Sequence, residues 1–335
     1  LKNSNLEISD LDFVALNFNP YSNLNGKLKY SIKNIFKKAT FNKIINLKNK
    51  FTATNNLNLF LQKNNFKGKI INVEHHKSHL ASSYFLSNFK NCLGLTIDGF
   101  GDFSSMESFI CYENDIKSIK RVLFPHSLGI FYQATTQYLG FKNYGDEYKL
   151  MGLASYGEPE FIKEFSKILE YSNEDYFNLN LKYFTHHMDK NFKYSFEDGV
   201  PDFNNLYSNK FIDMFGKPRL ANEEITQKHM NIASSMQKHF EDIVIKILNN
   251  LYQHYKIENL CLAGGCAFNS KLNGLIRNKT KFKNVFIQPN AGDGGGSVGA
   301  ALYLNSIHGK KFENKNKVYL GPKFSNQEIE NLIKK

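Results

Sequence analysis

The sequence has no tryptophan, only four cysteines, and only three arginines (Arg121, Arg219 and Arg277) among its 43 basic residues. No two cysteines form a CxxC pair, so neither a zinc ribbon nor a redox motif is indicated, and a reducing cytoplasm fits best. The net charge is +12, but a surface that reads nucleic acid usually shows clustered arginine. Lysine excess together with abundant asparagine is better explained by codon bias in an AT-rich genome. We therefore do not expect nucleic acid as a partner.

Long hydrophobic runs are missing as well. No apolar stretch approaches the roughly 20 residues that a helix needs to cross a bilayer, and residues 1–10 are too polar for a signal peptide. We expect a cytoplasmic protein without a membrane partner. The 335 residues are 41% hydrophobic, with 30 Phe and 18 Tyr, which is enough to form the core of one large or two moderate domains.

Strands that lead into glycine turns and then into helices recur along the chain. The apolar runs Asn259–Ala263 and Val285–Gln288 both end at glycines, and the second leads to a helix that we place near Ser297. Another strand, Cys92–Ile97, continues as a hairpin toward Ser108–Tyr112. Such units argue for an α/β fold whose ligand lies at the strand ends.

Two regions frame these units. Residues 227–255 carry apolar side chains at spacings of three and four, which is typical of a long helix with one face in the core. Residues 160–225 are polar, aromatic and weakly patterned, and we interpret them as an insertion.

His75 and His79 are the first candidate site residues. On a helix they stand one turn apart on one face, where two imidazoles can share a divalent metal. Histidines at this spacing are also common on surfaces and in cores. His76 points elsewhere on the same helix and is a candidate either for supporting the metal ligands from behind or for contacting substrate.

Two aspartates add to this pair. Asp98 ends a strand and precedes Gly99 and Gly101, an arrangement that suits a phosphate or its metal but also a plain hairpin turn. Asp293 lies within a run of small residues that includes Gly294, Gly295 and Gly296. Such a run is hard to explain by packing alone and suggests that the backbone closely approaches something else. Two histidines and two aspartates with open positions suit Fe²⁺, Mn²⁺ or Zn²⁺.

Further segments are candidates for nucleotide contacts. Gly264 and Gly265 follow a buried strand, and Asn269 is expected one turn into the next helix, although a tight turn explains the glycines equally well. Glu147 and Lys149 precede an apolar helix, where an acid can hold ribose hydroxyls and a lysine can hold phosphate. Spacing alone favours a solvated helix start for these two.

Taken together, seven segments resemble, in order, the motifs of the nodulation-protein-U and antibiotic O-carbamoyltransferase family. The resemblance covers the chain from about residue 7 to its end. The segments are Val73–Ser83, Leu95–Asp102, Phe124–Tyr132, Tyr138–Phe141, Glu147–Gly157, Leu262–Asn269 and Gln288–Gly296.

This resemblance implies an actin/Hsp70/sugar-kinase-like (ASKHA) fold, in which two ribonuclease-H-like lobes enclose a nucleotide cleft. We place the first lobe at residues 1–91, the second at 92–316, and the start of a further domain at 317–335. Family members have a segment that would precede Leu1 and a second, YrdC-like domain after residue 335. We therefore expect this chain to be incomplete for the whole reaction.

The resemblance also assigns roles to residues. His75, His79, Asp98 and Asp293 match the family's iron-type metal ligands. Its nucleotide contacts match Gly264, Gly265, Gly294, Gly295, Gly296 and Asn269.

The implied reaction is carbamoyl transfer from carbamoyl-adenylate, made from carbamoyl phosphate and ATP, to a hydroxyl of a small molecule or sugar. His76 and His126 are the candidate general bases. Two alternatives stay open: an enzyme that modifies tRNA with a threonylcarbamoyl group, and a non-catalytic nucleotide-binding remnant.

Overall fold

The computed structural model describes residues 6–33, 54–188, 195–197, 200–202, 204–309 and 323–334. Its strands, in chain order, are β1 (Phe13–Leu16), β2 (Lys69–Asn72), β3 (Asn91–Gly101), β4 (Ser104–Tyr112), β5 (Asp115–Leu123), β6 (Leu169–Ser172), β7 (Tyr176–Leu179), β8 (Ser195–Glu197), β9 (Val200–Asp202), β10 (Asn259–Ala263) and β11 (Asn284–Ile287).

The helices are α1 (Leu24–Lys33), α2 (residues 54–63), α3 (His75–Tyr84), α4 (Leu128–Tyr138), α5 (Glu147–Leu153), α6 (Ile162–Ile168), α7 (Asn209–Phe215), α8 (Gln227–Tyr255), α9 (Ser270–Lys279), α10 (Asp293–Ile307) and α11 (Asn326–Ile333). No helix in these described ranges is long and apolar enough to cross a membrane.

A mixed five-stranded sheet, ordered β11-β10-β3-β4-β5, organises the fold. Strands β3, β4 and β5 follow one another in the chain and pair antiparallel, because tight turns connect them directly. Strands β10 and β11 pair parallel to β3 and to each other, and α9 forms the crossover between them. The predicted α/β class is confirmed by this sheet.

Helices cover both faces of the sheet. Alternate residues of β3, such as Leu93 and Leu95, belong to the large apolar core that includes α4 and α8. Cys92 faces the other way and packs with Leu80 of α3. Period-two alternation along β3 therefore fixes which side of the sheet each helix occupies.

The site lies where α3 and α10 cross. Gly299 of α10 is so close to α3 that a Cβ placed there would lie 1.8 Å from the Ser78 carbonyl oxygen and 2.6 Å from the Ser82 nitrogen. Small residues allow such close approach of two helix backbones. The contact holds the first turn of α10 next to the first turn of α3.

The predicted element boundaries need two corrections. Helix α10 begins at Asp293 and not near Ser297, so Gly294, Gly295 and Gly296 lie in its first turn. Asn269 is the N-cap of α9 and not a residue one turn into a helix. In both cases polar and small residues at a helix start look like loop residues in the sequence.

The predicted division into lobes stays a prediction. The proposed boundary at residue 91 separates α3 from a sheet on which α3 packs. Within 160–225, the rings of Phe165, Phe211 and Phe215 pack against one another and are continuous with the main core. Residues 317–322, at the start of the predicted further domain, lie outside the described residues, whereas α11 lies within that domain.

Candidate functional site

Four side chains from three distant parts of the chain converge at one point. His75 and His79 come from α3, Asp98 from β3 and Asp293 from the start of α10, and one ligand atom from each lies within 4.8 Å of all the others. The Nε2 atoms of the two histidines are 3.0 Å apart. Asp98 Oδ2 lies 3.1 Å from His75 Nε2 and 3.0 Å from His79 Nε2, and Asp293 Oδ1 lies 3.6 and 3.4 Å from them.

The electrostatics of this cluster favour a proton or a cation at its centre. Two imidazole nitrogens that face each other at 3.0 Å repel unless a proton or a cation lies between them. Burial alone lowers the pKa of His79, but hydrogen bonds to the Asp293 and Asp98 carboxylates outweigh it and raise this pKa to about 9. Burial opposes ionisation of Asp98 in the same way, and its bonds to His75 and His79 hold its pKa well below the ordinary value.

The cluster is closed on one side and open on the other. The side chains of His79 and His75 are 0% and 10% exposed, whereas that of Asp293 is 66% exposed. Two nitrogen and two carboxylate donors with one open side form a set suited to a borderline divalent metal such as Fe²⁺, Mn²⁺ or Zn²⁺ that also binds a substrate atom.

The start of α3 is fixed by two acids. Glu74 is the N-cap, and its carboxylate accepts a hydrogen bond from the Lys77 backbone N–H at 2.8 Å. Asp102 Oδ2 accepts from the His75 N–H at 2.9 Å and from the Asn19 N–H at 2.7 Å. Asp102 therefore ties α3 to the segment after β1, a role that sequence reasoning missed.

An irregularity in β3 directs Asp98 toward the histidines. The register of β3 against β4 shifts between Ile97 and Gly101, and such bulges re-aim side chains. Ser127 Oγ donates to the Gly99 carbonyl at 2.8 Å and accepts from the Ile130 N–H at 3.1 Å, as the N-cap of α4. The motif around His126 thus contributes a serine that anchors the Asp98 segment to α4.

Gly101 is required by the position of His75. A Cβ on Gly101 would lie 1.9 Å from the His75 ring, so any larger residue would displace this imidazole. Gly99 has open space at the same position. Of the two glycines predicted to face a nucleotide here, Gly101 is accounted for by packing against the cluster.

The turn after β10 lies directly on the Asp98 segment. Gly264 has a φ of 89°, and a Cβ there would lie 2.3 Å from the Ile97 carbonyl oxygen. A Cβ on Gly265 would lie 3.0 Å from Asp98 Oδ1. The Gly264 N–H also donates to the Ala291 carbonyl at 2.8 Å, so this turn and the turn before Asp293 are joined.

Asn269 belongs to a buried group of polar side chains, which we call the amide cluster. Its Oδ1 accepts from Gln237 Nε2 at 2.9 Å and from the Leu272 N–H at 2.9 Å. Gln237 also accepts from Tyr132 Oη at 2.7 Å and donates to Glu241 at 2.7 Å. Sequence reasoning assigned this part of α8 to the core, although two polar residues four apart beside the apolar stripe marked it.

The predicted residues on α5 reach the same region. Burial raises the pKa of Cys266 well above its ordinary value, and the carboxylates of Asp98 and Glu147 add to this, so Cys266 lies within electrostatic range of both acids. Burial also raises the pKa of Glu147. Lys149 Nζ is 2.7 Å from Asp146 Oδ1, so its charge is already paired.

The glycines at the start of α10 have close neighbours within the chain. Cβ atoms on Gly294, Gly295 and Gly296 would lie 2.4 Å from Asn290 Nδ2, 1.9 Å from the Asn290 carbonyl oxygen and 2.7 Å from Asn17 Nδ2, respectively. Packing therefore explains why side chains are absent here, contrary to the expectation that packing alone does not.

A cavity of about 680 Å³ adjoins the open side of the cluster. It mixes apolar side chains with asparagine, aspartate and serine. Its described lining consists of Leu16, Asn17, Phe18, Thr54, Leu57, His75, Phe100, Gly101, Asp102, Asp293, Gly294 and Ser297.

Neither histidine predicted as a general base lines this cavity. His76 is fully buried, its Nδ1 lies 2.8 Å from Thr96 Oγ1, and burial, followed by the charges of His75 and His79, lowers its pKa to about 3. His126 Nδ1 accepts from the Leu179 N–H at 3.0 Å. His76 therefore supports α3 from behind, His126 packs on β7, and the geometry gives no support to either as a base.

Comparison with known proteins agrees with this geometry. Residues 15–302 match the model of the family described as the carbamoyltransferase N-terminus. An uncharacterized protein of Synechocystis, sll1178, is 39% identical over 78% of this chain and 42% of its own length. The nodulation protein NolNO of Sinorhizobium fredii is 32% identical over 75% of this chain and 34% of its own length.

This chain thus spans less than half of the length of these relatives. Among solved structures, HypF of T. kodakarensis is similar with a TM-score of 0.36 and 15% identity, covering 72% of this chain and 37% of that one, which is too weak to assign anything further. The family match extends over most of the chain and includes all four residues of the histidine–aspartate cluster. The chain belongs to the carbamoyltransferase family and corresponds to its N-terminal part.

Proposed function

We propose that this chain is the transferase part of an O-carbamoyltransferase. It would move a carbamoyl group from carbamoyl-adenylate, made from carbamoyl phosphate and ATP, to a hydroxyl of a small molecule or sugar. The observation that carries the proposal is the meeting of His75, His79, Asp98 and Asp293 at one point, beside two glycine turns. The match of residues 15–302 to the carbamoyltransferase N-terminus supports the same class of reaction.

The fold that we propose is the actin/Hsp70/sugar-kinase type. The order β11-β10-β3-β4-β5, with three antiparallel strands followed by two parallel ones, is what we expect of one ribonuclease-H-like lobe. The parallel pair β1-β2 would belong to the other lobe. A cleft between lobes then coincides with the cavity beside the cluster.

We propose that the cluster holds one divalent cation, with Fe²⁺ as the first candidate. Its two imidazole and two carboxylate donors fit such an ion. A bound cation of this kind polarises a carbonyl and stabilises the negative charge that develops on it during acyl transfer. Burial would hold the His75 and His79 ligands in place, and a substrate could approach the cation from the exposed side, where Asp293 lies.

The nucleotide would lie along the turn that contains Gly264 and Gly265. This turn touches Asp98 directly, and its backbone approaches without side chains in the way. The amide cluster fixes Asn269 at the end of the turn, and Glu147 is in electrostatic range of it. These residues would place the adenylate so that its carbonyl reaches the histidine–aspartate cluster.

In the transfer step the bond between the carbamoyl carbon and the AMP oxygen breaks, and a bond from that carbon to the acceptor oxygen forms. AMP leaves, and the acceptor hydroxyl loses a proton to a base. The cavity would hold the acceptor next to Asp293, with Phe18 and Phe100 as apolar walls. Its walls would keep bulk water from competing as an acceptor.

The test supplies preformed carbamoyl-adenylate to the chain with a panel of hydroxylated metabolites, and supplies carbamoyl phosphate and ATP in a parallel reaction. Mass spectrometry should detect gain of a carbamoyl group on an acceptor in the first reaction. Asp293→Ala should lose this product, and His254→Ala, which changes an exposed histidine on α8, should keep it. Release of AMP without any acceptor product in every mixture would count against transfer.

The tRNA alternative has its own readout. Arginine does not cluster in the sequence, so we expect no salt-dependent tRNA binding in a filter assay. Tight tRNA binding would favour the threonylcarbamoyl reading. Failure to bind either adenylate or ATP would favour the non-catalytic remnant.

A further inference from the structure

An aromatic ring stands exposed where the two glycine turns meet. Phe268 is 52% exposed, although its neighbours Ala267 and Asn269 are only 6% and 7% exposed. It is the last residue of the short 3-10 turn Gly265–Phe268 that connects β10 to α9. The chain thus buries the residues on both sides of Phe268 and turns the ring outward.

The Phe268 ring packs against a glycine of the neighbouring turn. A Cβ on Gly292 would lie 3.0 Å from Phe268 Cε2 and 3.7 Å from its Cζ, so the edge of the ring lies on the bare backbone of Gly292. That backbone leads directly to Asp293. The hydrogen bond from Gly264 to Ala291 joins the two turns on either side. Phe268 therefore belongs to one of two joined turns, and its half-exposed ring lies against the backbone of the other.

The position of the ring relative to the cluster separates it from the acceptor cavity. That cavity is lined by Asp293 and Gly294, and Phe268 does not belong to its described lining. Asp293 lines the cavity, whereas the ring lies against Gly292, the residue before it. Phe268 is placed to contact the part of a ligand that extends from the cluster along the Gly264–Gly265 turn.

We propose that Phe268 is the stacking platform for the nucleobase of the bound nucleotide, and thus a residue that determines the affinity for the donor. This inference rests on the proposed nucleotide site. Flat aromatic faces are what nucleobases stack on, and Glu147 on a neighbouring element suits the ribose hydroxyls instead. An exposed phenylalanine held on a glycine backbone supplies such a face without a further rearrangement.

Isothermal titration of the chain with ATP and with inorganic tripolyphosphate tests the role of the ring. Stacking of one base is worth enough that Phe268→Ala should weaken ATP binding by about 10-fold to 100-fold. The same variant should bind tripolyphosphate as the wild type does. Phe268→Tyr keeps the ring and should bind ATP within about 3-fold of wild type, by the same reasoning.

Tyr112→Ala serves as the control, because it removes an aromatic ring that is 63% exposed at the end of β4. It should leave ATP binding unchanged. If Phe268→Ala and wild type bind ATP equally, the stacking role is wrong and the proposed function stands. If the wild type binds neither ATP nor carbamoyl-adenylate, the proposed nucleotide site fails, and the stacking role fails with it.

Discussion

The crossing of α3 and α10 at Gly299 should control both stability and the geometry of the cluster. A Cβ at this position would lie 1.8 Å from the Ser78 carbonyl oxygen, whereas ordinary contacts of carbon lie at about 3.5 Å. Gly299→Ala must therefore push the helices apart by more than an ångström or distort one of them. Because α3 carries two of the cluster residues and α10 carries Asp293, the displacement reaches the site.

The change in the free energy of unfolding caused by Gly299→Ala is the sum of two opposing effects. Alanine stabilises a helix interior relative to glycine by about 1 kcal/mol, and overpacking of a close contact costs about 1–3 kcal/mol. We expect Gly299→Ala to lower the free energy of unfolding by up to about 2 kcal/mol. Gly274→Ala is the matched control, because Gly274 is also inside a helix, α9, and has nothing within 4 Å of its Cβ position.

Urea denaturation of the three proteins, followed by competition titration with Mn²⁺, measures both consequences. Gly274→Ala should be more stable than wild type by about 0.5–1 kcal/mol and should bind Mn²⁺ equally well. Gly299→Ala should be less stable and should bind Mn²⁺ at least about 10-fold more weakly, since a displaced ligand loses most of its contribution. If Gly299→Ala gained stability as Gly274→Ala does and bound Mn²⁺ normally, the close crossing described above would be refuted.

Three further changes probe other parts of the molecule. Gln237→Leu leaves buried partners in the amide cluster unsatisfied and should lower the free energy of unfolding by about 1–3 kcal/mol; an unchanged urea midpoint would contradict the network. Phe240→Ala removes a fully buried ring of α8 and should cost about 3–5 kcal/mol in the same assay, while a loss below about 1 kcal/mol would contradict its place in the core. Burial, with a contribution from Glu74, raises the pKa of Glu107 from 4.5 to about 7, so the folded state holds this proton more tightly than the unfolded chain does. The contribution of Glu107 to the free energy of unfolding should therefore fall as pH rises from 4.5 to about 7, and the stability of wild type relative to Glu107→Gln should fall with it; a difference between the two proteins that does not change with pH would contradict it.

Much of the fold could be predicted because hydrophobic periodicity is strong in the relevant segments. The long helix α8 and strand β10 have the predicted bounds, Gln227–Tyr255 and Asn259–Ala263. The start of α10 could not be read, because three glycines in a first turn look like a loop. Only the packing against Asn290 and Asn17 shows why this helix begins with residues that have no side chains.

The candidate site was predictable in its residues and not in its surroundings. The spacing of His75 and His79 on one helix depends on local periodicity, which sequence carries. Asp98 was predicted at the end of a strand but lies within β3, which continues to Gly101. The hydrogen bonds that Asp102 accepts from Asn19 and His75, and the hydrogen bond from Ser127 to Gly99, join segments that are apart in sequence. No local sequence pattern predicts such contacts. His76 and His126 were singled out by motif position, but burial and backbone contacts direct them away from the cavity.

Metal binding by the intact chain is the most direct test of the central claim, that His75, His79, Asp98 and Asp293 hold one divalent cation. The purified chain is dialysed without oxygen against Fe²⁺, Mn²⁺ or Zn²⁺, and the bound metal is determined by elemental analysis. Wild type and His254→Ala should retain about one ion per chain, and His79→Ala and Asp293→Ala should retain little or none. Equal metal content in all four proteins, or no bound metal in the wild type, would contradict the account.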